Sequence, residues 1–383
     1  MASAASAVAT APDVEVVRRP AWLPDQIACF DGLRGIAILA VVLYHCHAKM
    51  AGMWIEKICI WGWAGVDLFF VLSGFLITGL ILDARHKPQF YRNFYVRRIL
   101  RIWPVYYLLL FLDYFLLPLV FGGFWNMLDK ARSGHWIAYL FFSQNLFAIV
   151  LPGTIGPTWS LAIEQQFYLF WAPVARRLRL HTLLGTLGFV LCASPFLRIA
   201  FAGRINPTHT IAHLDGLAVG GLIAVGIRLL PSALDLWKWI ARVALLCGLS
   251  GVFLMLNHGS AFTSTLLAVG FGGMLLSAVL PNGFRIYQRA LQWRPLVHVG
   301  KVSYGLYVMH ILVFAILGGY VDKYLDPLGP AANLTIVAIR LVASIGFASL
   351  LWKYFEQPIL GLKRYFTFSP KVAVAETAAA TAD

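Results

Sequence analysis

The sequence predicts an all-α polytopic membrane protein with about ten transmembrane helices and one re-entrant segment. Composition is the first reason. Of 383 residues, 60% are hydrophobic and only 13% are charged, whereas a soluble globular domain is about a quarter charged. The second is spacing, because apolar runs of roughly 20 residues, enough to cross the hydrocarbon core, recur from end to end. The third is that no short alternating strands appear, which argues against a barrel.

Residues 1–28 read as a flexible cytoplasmic tail, Ala-rich and polar, with Arg18 and Arg19 but no apolar core of a signal peptide before them. A transmembrane domain over 29–366 follows, and 367–383, rich in Ala and Thr, read as a disordered cytoplasmic tail. Apolar segments lie at 33–51, 61–83, 103–121, 134–151, 157–175, 181–201, 208–230, 236–257, 261–281, 296–320 and 331–352. The net charge of +14 is concentrated between these runs. That pattern orients membrane helices and does not call for a nucleic-acid partner. The basic clusters Arg85–Arg101, Arg176–Arg179, Arg285–Arg294 and Lys363–Arg364 all fall on the cytoplasmic side if 134–151 does not cross. That segment carries Ser143, Gln144 and Asn145 and ends in the helix-breaking "LPGTIGP". It is therefore expected to be re-entrant, with both termini inside a multi-pass plasma (inner) membrane protein. The cysteines, Cys29, Cys46, Cys59, Cys192 and Cys247, have no paired spacing and read as small hydrophobes.

Ionisable side chains inside the apolar runs carry the functional signal, since such groups are costly in lipid and line functional cavities. In "FDGLRGIAILAVVLYHCH" eleven helical steps separate Arg34 from His45. At about 100° and 1.5 Å per residue, the two share a face about 16 Å apart along the axis. Asp31 lies near that stripe, and His47 falls about 140° from Arg34. Asp67, Glu164, Asp215 and His310 recur in the central to outer layer of four further helices. Ser160, Glu164, Tyr168 and Trp171 share one face, as do Ser303, Tyr307 and His310. Arg98 and Arg101 join Arg34 in the inner layer. Forked guanidiniums suit phosphate, and an imidazole suits proton transfer.

The sequence resembles the membrane-bound acyltransferase 3 family. The resemblance is carried by "FDGLRGIAILAVVLYH", "GVDLFFVLSGFLIT", "FYVRRILRIWPVYY", "TWSLAIEQQFY", "HLDGLAVGGLIA", "SYGLYVMH" and "YFEQP", in that order over about residues 25–365. It implies acyl transfer from cytoplasmic acyl-CoA, with acetyl-CoA the expected co-substrate, to a hydroxyl of a carbohydrate-type acceptor outside. By the resemblance His45 matches the family's essential histidine, and Arg34, Arg98 and Arg101 match positions thought to hold CoA phosphates. Glu164 matches the glutamate of the "WSL" motif. The expected roles are catalysis for His45, Glu164, Asp67 and His310, with Asp67 or Glu164 orienting the imidazole or binding the acceptor. Arg34, Arg98 and Arg101 are expected to bind the donor, and Trp159, Asp215 and Tyr307 the acceptor. No permanent cofactor or metal is expected.

A structural reading stands beside each functional one. His310 serves equally as a packing hydrogen bond, Asp67 and Glu164 as ion-paired struts, and Arg98 and Arg101 as orientation charges. Two rival functions use the same polar path: a transporter or flippase of a glycan or lipid precursor, and a metalloenzyme built on His45, His310 and Asp67. The second lacks any HExxH-type spacing.

Overall fold

The computed structural model describes residues 19–24, 27–121, 135–147, 153–257, 259–325 and 329–368. Most of both expected tails lies outside these. Helices dominate, and no strand occurs among the described residues. The principal helices are α1 (Ala28–Cys46), α2 (Gly65–Ala84), α3 (Phe90–Phe111), α4 (Trp159–Arg177), α5 (Leu180–Ala200) and α6 (Leu214–Leu229). They continue with α7 (Leu234–Leu256), α8 (Thr263–Val279), α9 (Arg294–Lys301), α10 (Ser303–Leu317) and α11 (Pro330–Leu351).

Seven helices among the described residues are long and apolar enough to cross a membrane, or eight if α9 and α10, bent by 75°, count as one span. The number is lower than the ten expected, for two physical reasons. Helix α4 carries Glu164, Gln165, Gln166 and two arginines, which dilute its apolarity, and α8 is only 17 residues long.

Of segment 134–151, residues 135–147 are described. Its described helix, Trp136–Leu140, has five residues, a rise of about 7.5 Å against a hydrocarbon core of about 30 Å. Protein groups satisfy the chain that follows. Gln166 Nε2 donates to the Phe142 carbonyl and to Asn145 Oδ1, both at 2.9 Å, and Asn145 Nδ2 donates to Thr210 Oγ1 at 2.9 Å.

At the centre lies α2, whose most apolar window is 78% buried, with α6 beside it at 67%. The windows of α5, α7 and α11 are each only 22% buried and leave most of their surface for lipid. A helix enclosed on all sides must be apolar all round, and "VDLFFVLSGFLITGLIL" is. Around this pair, α1 packs on α2, α9 and α10, while α4 packs on α2. Small residues set the α2–α6 spacing. A Cβ at Gly74 would stand 2.2 Å from the Leu217 carbonyl oxygen, and one at Gly220 would stand 2.0 Å from that of Val71. Backbones in such contact need glycine on both sides.

Near its N-terminal end, α1 lies against α9: a Cβ at Gly300 would fall 1.7 Å from the Asp31 carbonyl oxygen. The chain then turns at Val302 into α10, which climbs beside α1. The run expected as one helix over 296–320 is therefore two, and the bend sets His310 against His45 of α1 and Tyr307 against the start of α4. Glu356 of "YFEQP" is 4% exposed on a π-helical turn extending α11, against Gly305 of α10.

The α2–α6 contact yields a direct test. Gly220→Val should destabilise the folded protein by about 3 kcal/mol or more, read as a lower thermal unfolding midpoint in detergent. A midpoint equal to wild type would contradict the packing described.

Candidate active site

Three cavities follow one another along α1. The first, about 360 Å³, is lined near the N-terminal end of α1 by Arg19, Asp31, Arg34, Asp83 and Arg228. The second, about 120 Å³, is lined by Arg34, Arg98, Arg101, Ser73, Glu164, Tyr168 and Tyr307. The third, about 540 Å³, is lined by Tyr44, His45, Trp63, Trp159, Thr208 and Tyr307. Arg34 and Leu76 line both the first and second cavities. Val66 and Tyr307 line both the second and third. The middle cavity is the smallest of the three and forms a slot between the other two.

The side chains of the slot come from five helices, α1, α2, α3, α4 and α10. Arg34 projects from α1 and donates through Nη1 to Asp31 Oδ1 at 2.9 Å. Arg98 and Arg101, one turn apart on α3, reach the same space, and Arg98 Nε is buried with no hydrogen-bond partner. Glu164 of α4 accepts from Ser73 Oγ of α2 at 2.6 Å and from Tyr168 OH at 3.2 Å. The result is one carboxylate held by two hydroxyls, with three guanidiniums lining the same cavity. Such a set is costly to keep dry and is matched to a charged or polar ligand.

The slot ends at Tyr307. Its hydroxyl donates to the Pro157 carbonyl at 2.7 Å, which leaves it to accept from Ser160 Oγ at 2.6 Å. The phenol thus stands as a pinned partition between the slot and the third cavity.

Beyond it, His45 and His310 form a pair. His310 is fully buried, with Nδ1 2.8 Å from the Tyr307 carbonyl and 3.2 Å from that of Leu306. Carbonyls only accept, so Nδ1 carries the proton, and Nε2 of the neutral ring is an acceptor. His310 Nε2 lies 3.2 Å from His45 Nδ1, which also lies 2.9 Å from the Val41 carbonyl. His45 Nδ1–H therefore donates to both. Its Nε2 keeps a lone pair, with no partner among the described residues, on the wall of the third cavity.

The carboxylate expected to orient His45 is elsewhere. Asp67, one turn into α2, faces the start of α6, where Oδ1 lies 3.5 Å from His213 Nδ1, and Glu164 faces Ser73. His213 Nε2 donates to the Pro207 carbonyl at 3.0 Å, and its ring packs on Trp159 with centroids 4.8 Å apart. Asp215 does not line the third cavity. It accepts from Arg198 Nη1 at 2.8 Å and from Thr265 Oγ1 at 2.9 Å. The structure thus gathers Arg34, Arg98, Arg101 and Glu164 at the slot, and His45, His310, Trp159 and Tyr307 at or beside the third cavity. Asp67 and Asp215 belong to neighbouring structural pairs. Among the described residues no group of three His, Cys, Asp or Glu is arranged to hold a metal ion. Sequence reasoning missed Ser73, His213, Tyr44 and Trp63. Ser73 left a trace as a lone hydroxyl amid "FFVLSGF", and His213 as a second ionisable residue in "HLDG".

Residues 27–353 match the family model described as an acyltransferase domain. The chain belongs to the acyltransferase domain family. It is 26% identical over 376 residues to the peptidoglycan O-acetyltransferase OatA of Listeria monocytogenes, covering 89% of this chain and 57% of that protein. To the O-acetyltransferase OatA of Staphylococcus aureus it is 27% identical over 390 residues, covering 94% and 60%. To YrhL of Bacillus subtilis it is 27% identical over 362 residues, covering 86% and 54%. The chain thus spans a little over half the length of these relatives. No solved structure matches it. In this acyltransferase domain both cavity chemistries, the arginine–glutamate slot and the histidine pair, fall inside the matched residues.

Asp215 tests the division between cavity and strut. Asp215→Ala leaves Arg198 uncompensated beneath the surface and should cost about 3–5 kcal/mol of stability, seen as a lower unfolding midpoint in detergent. Unchanged stability would mean that the ion pair carries no structural weight.

Proposed function

We propose that this protein is an integral-membrane O-acyltransferase that moves an acetyl group from acetyl-CoA to a hydroxyl of a glycan. In this reading the donor enters on the cytoplasmic side, where both termini lie, and the acceptor waits on the outer side of the plasma membrane. The observation that carries the reading is the series of cavities along α1, with Arg34 on the wall of two and His45 on the wall of the last. The names of the relatives, peptidoglycan O-acetyltransferase and O-acetyltransferase, support the acetyl group and the glycan.

The chemistry follows from the atoms available. Arg34, Arg98 and Arg101 offer forked donors to the phosphates of the donor. The slot, narrow and bounded by Glu164 and Tyr168, suits the pantetheine arm. With the partition at Tyr307 drawn aside, the thioester reaches the cavity that His45 lines. His45 Nε2 takes the proton of the acceptor hydroxyl as its oxygen attacks the thioester carbonyl. The imidazolium so formed keeps Nδ1–H directed at the Val41 carbonyl and the His310 lone pair, which stabilise its charge. Collapse of the tetrahedral intermediate breaks the C–S bond, and the proton on Nε2 passes to the leaving thiolate. One ester, one thiol and an unchanged His45 result.

Purified protein in liposomes, given radiolabelled acetyl-CoA and a soluble glycan, tests the reading. Label should reach the glycan with wild type, and His45→Ala should lower the rate by at least about 10². His310→Leu, which leaves Nδ1–H only the Val41 carbonyl, should lower kcat by a smaller factor at unchanged KM. Full transfer by His45→Ala would overturn the mechanism. Passage of a glycan precursor across the bilayer without label transfer would replace it with transport.

A further inference from the structure

A fourth cavity lies on the far side of Trp63 from His45. It holds about 360 Å³ and is lined by Trp61, Trp63, Met255, Ser260, Thr263 and Ser264, within the usual size range of small-ligand sites. Its walls come from the turn before α2 and from the α7–α8 connection. There Gly259, at φ +70°, lets the chain double back so that its N–H caps the Leu254 carbonyl at 2.8 Å. Trp63 also lines the His45 cavity, so one indole divides the two spaces.

The lining chemistry selects the occupant. No charged residue lines the cavity, so neither a phosphate nor a carboxylate is matched there. Two indoles line it, together with three hydroxyl-bearing side chains, Ser260, Thr263 and Ser264. Thr263 Oγ1 is engaged by the Ser260 N–H at 2.8 Å, whereas the Ser264 hydroxyl has no partner among the described residues. Indole rings beside one free hydroxyl and two engaged ones fit a neutral polyhydroxylated ring, which has apolar C–H faces and polar edges.

We propose that this cavity is a saccharide subsite, holding the sugar next to the one acetylated at His45, so that a glycan chain crosses over Trp63. The proposal rests on the glycan acceptor reading above for its place in the reaction, though its ligand chemistry stands on the cavity alone. It makes the protein an enzyme for oligomers rather than single sugars. Trp61 is the residue to vary, since it lines this cavity and not that of His45.

The test uses the full chain in detergent or liposomes, with N-acetylglucosamine and its β-1,4-linked tetramer as probes. Saturation-transfer NMR should show the tetramer binding wild type, with affinity falling about tenfold in Trp61→Ala, the loss of one aromatic contact. Binding of the monosaccharide should be unchanged, and Trp61→Phe should restore most of the tetramer affinity, which separates a lost contact from a misfolded protein. If Trp61→Ala binds the tetramer as wild type does, the subsite is wrong. If wild type binds no tetramer but is stabilised by added phospholipid, the cavity seats a lipid and the proposal falls. Acetyl transfer, measured in parallel, separates the two readings: tetramer binding lost with Trp61 while wild type transfers no acetyl group keeps the subsite and overturns the catalytic reading.

Discussion

Charge cannot rest unpaired in an apolar interior, and that constraint organises this molecule. Removing an ion from water costs several kcal/mol even after the surroundings relax, and the ions that anchor this account have either a fixed partner or a cavity. Arg198 takes Asp215 and Thr265. Arg228 takes Asp83 at 2.8 Å, and Arg340 shares Asp322 with Lys49. These ion pairs tie the helices together. Arg98 and Arg101 are the contrast, because the cavity they line with Arg34 and Glu164 is where solvent or a ligand meets them. Which ions have become struts and which remain available is the distinction on which the functional reading turns.

The histidine pair obeys the same logic without a carboxylate. A buried imidazole beside a buried acid would bring a charge to be compensated, whereas two neutral rings and three backbone carbonyls settle every proton by donor–acceptor counting alone. His310 is fixed by its own helix, and it in turn fixes His45. The free lone pair at His45 Nε2 is a by-product of that ordering, arising from backbone groups any sequence would supply. What the sequence must provide is the position of each ring, and α10 provides the second only because the chain bends after α9.

Local periodicity explains what could be read beforehand. The Arg34–His45 stripe, the Arg98–Arg101 turn and the succession of apolar helices are each written within a single helix, where 3.6 residues per turn leave a visible pattern. The polar run Ser143–Asn145 likewise falls just after the point where the described helix Trp136–Leu140 has ended. Partnerships between helices left no such trace. His45 meets His310 across 265 positions, and Asp67 meets His213 because α2 and α6 touch through glycines. A reading confined to single helices put a carboxylate beside His45 because carboxylates were abundant in the same layer. Position along a helix was legible, but azimuth between helices was not.

Tyr307 carries two commitments in one residue. Its phenol closes the neck between slot and third cavity, while its carbonyl anchors His310 and, through it, the orientation of His45. The two ends move under different rules. Swinging the ring about its own side-chain bonds unlatches Ser160 and Pro157 yet leaves the carbonyl in place, so the passage widens while the imidazoles stay aligned. Sliding or tilting α10 carries the carbonyl and His310 together and pulls the His310 ring away from His45. A rotamer change is the cheap way through this wall, and a rigid shift of the helix is the expensive one.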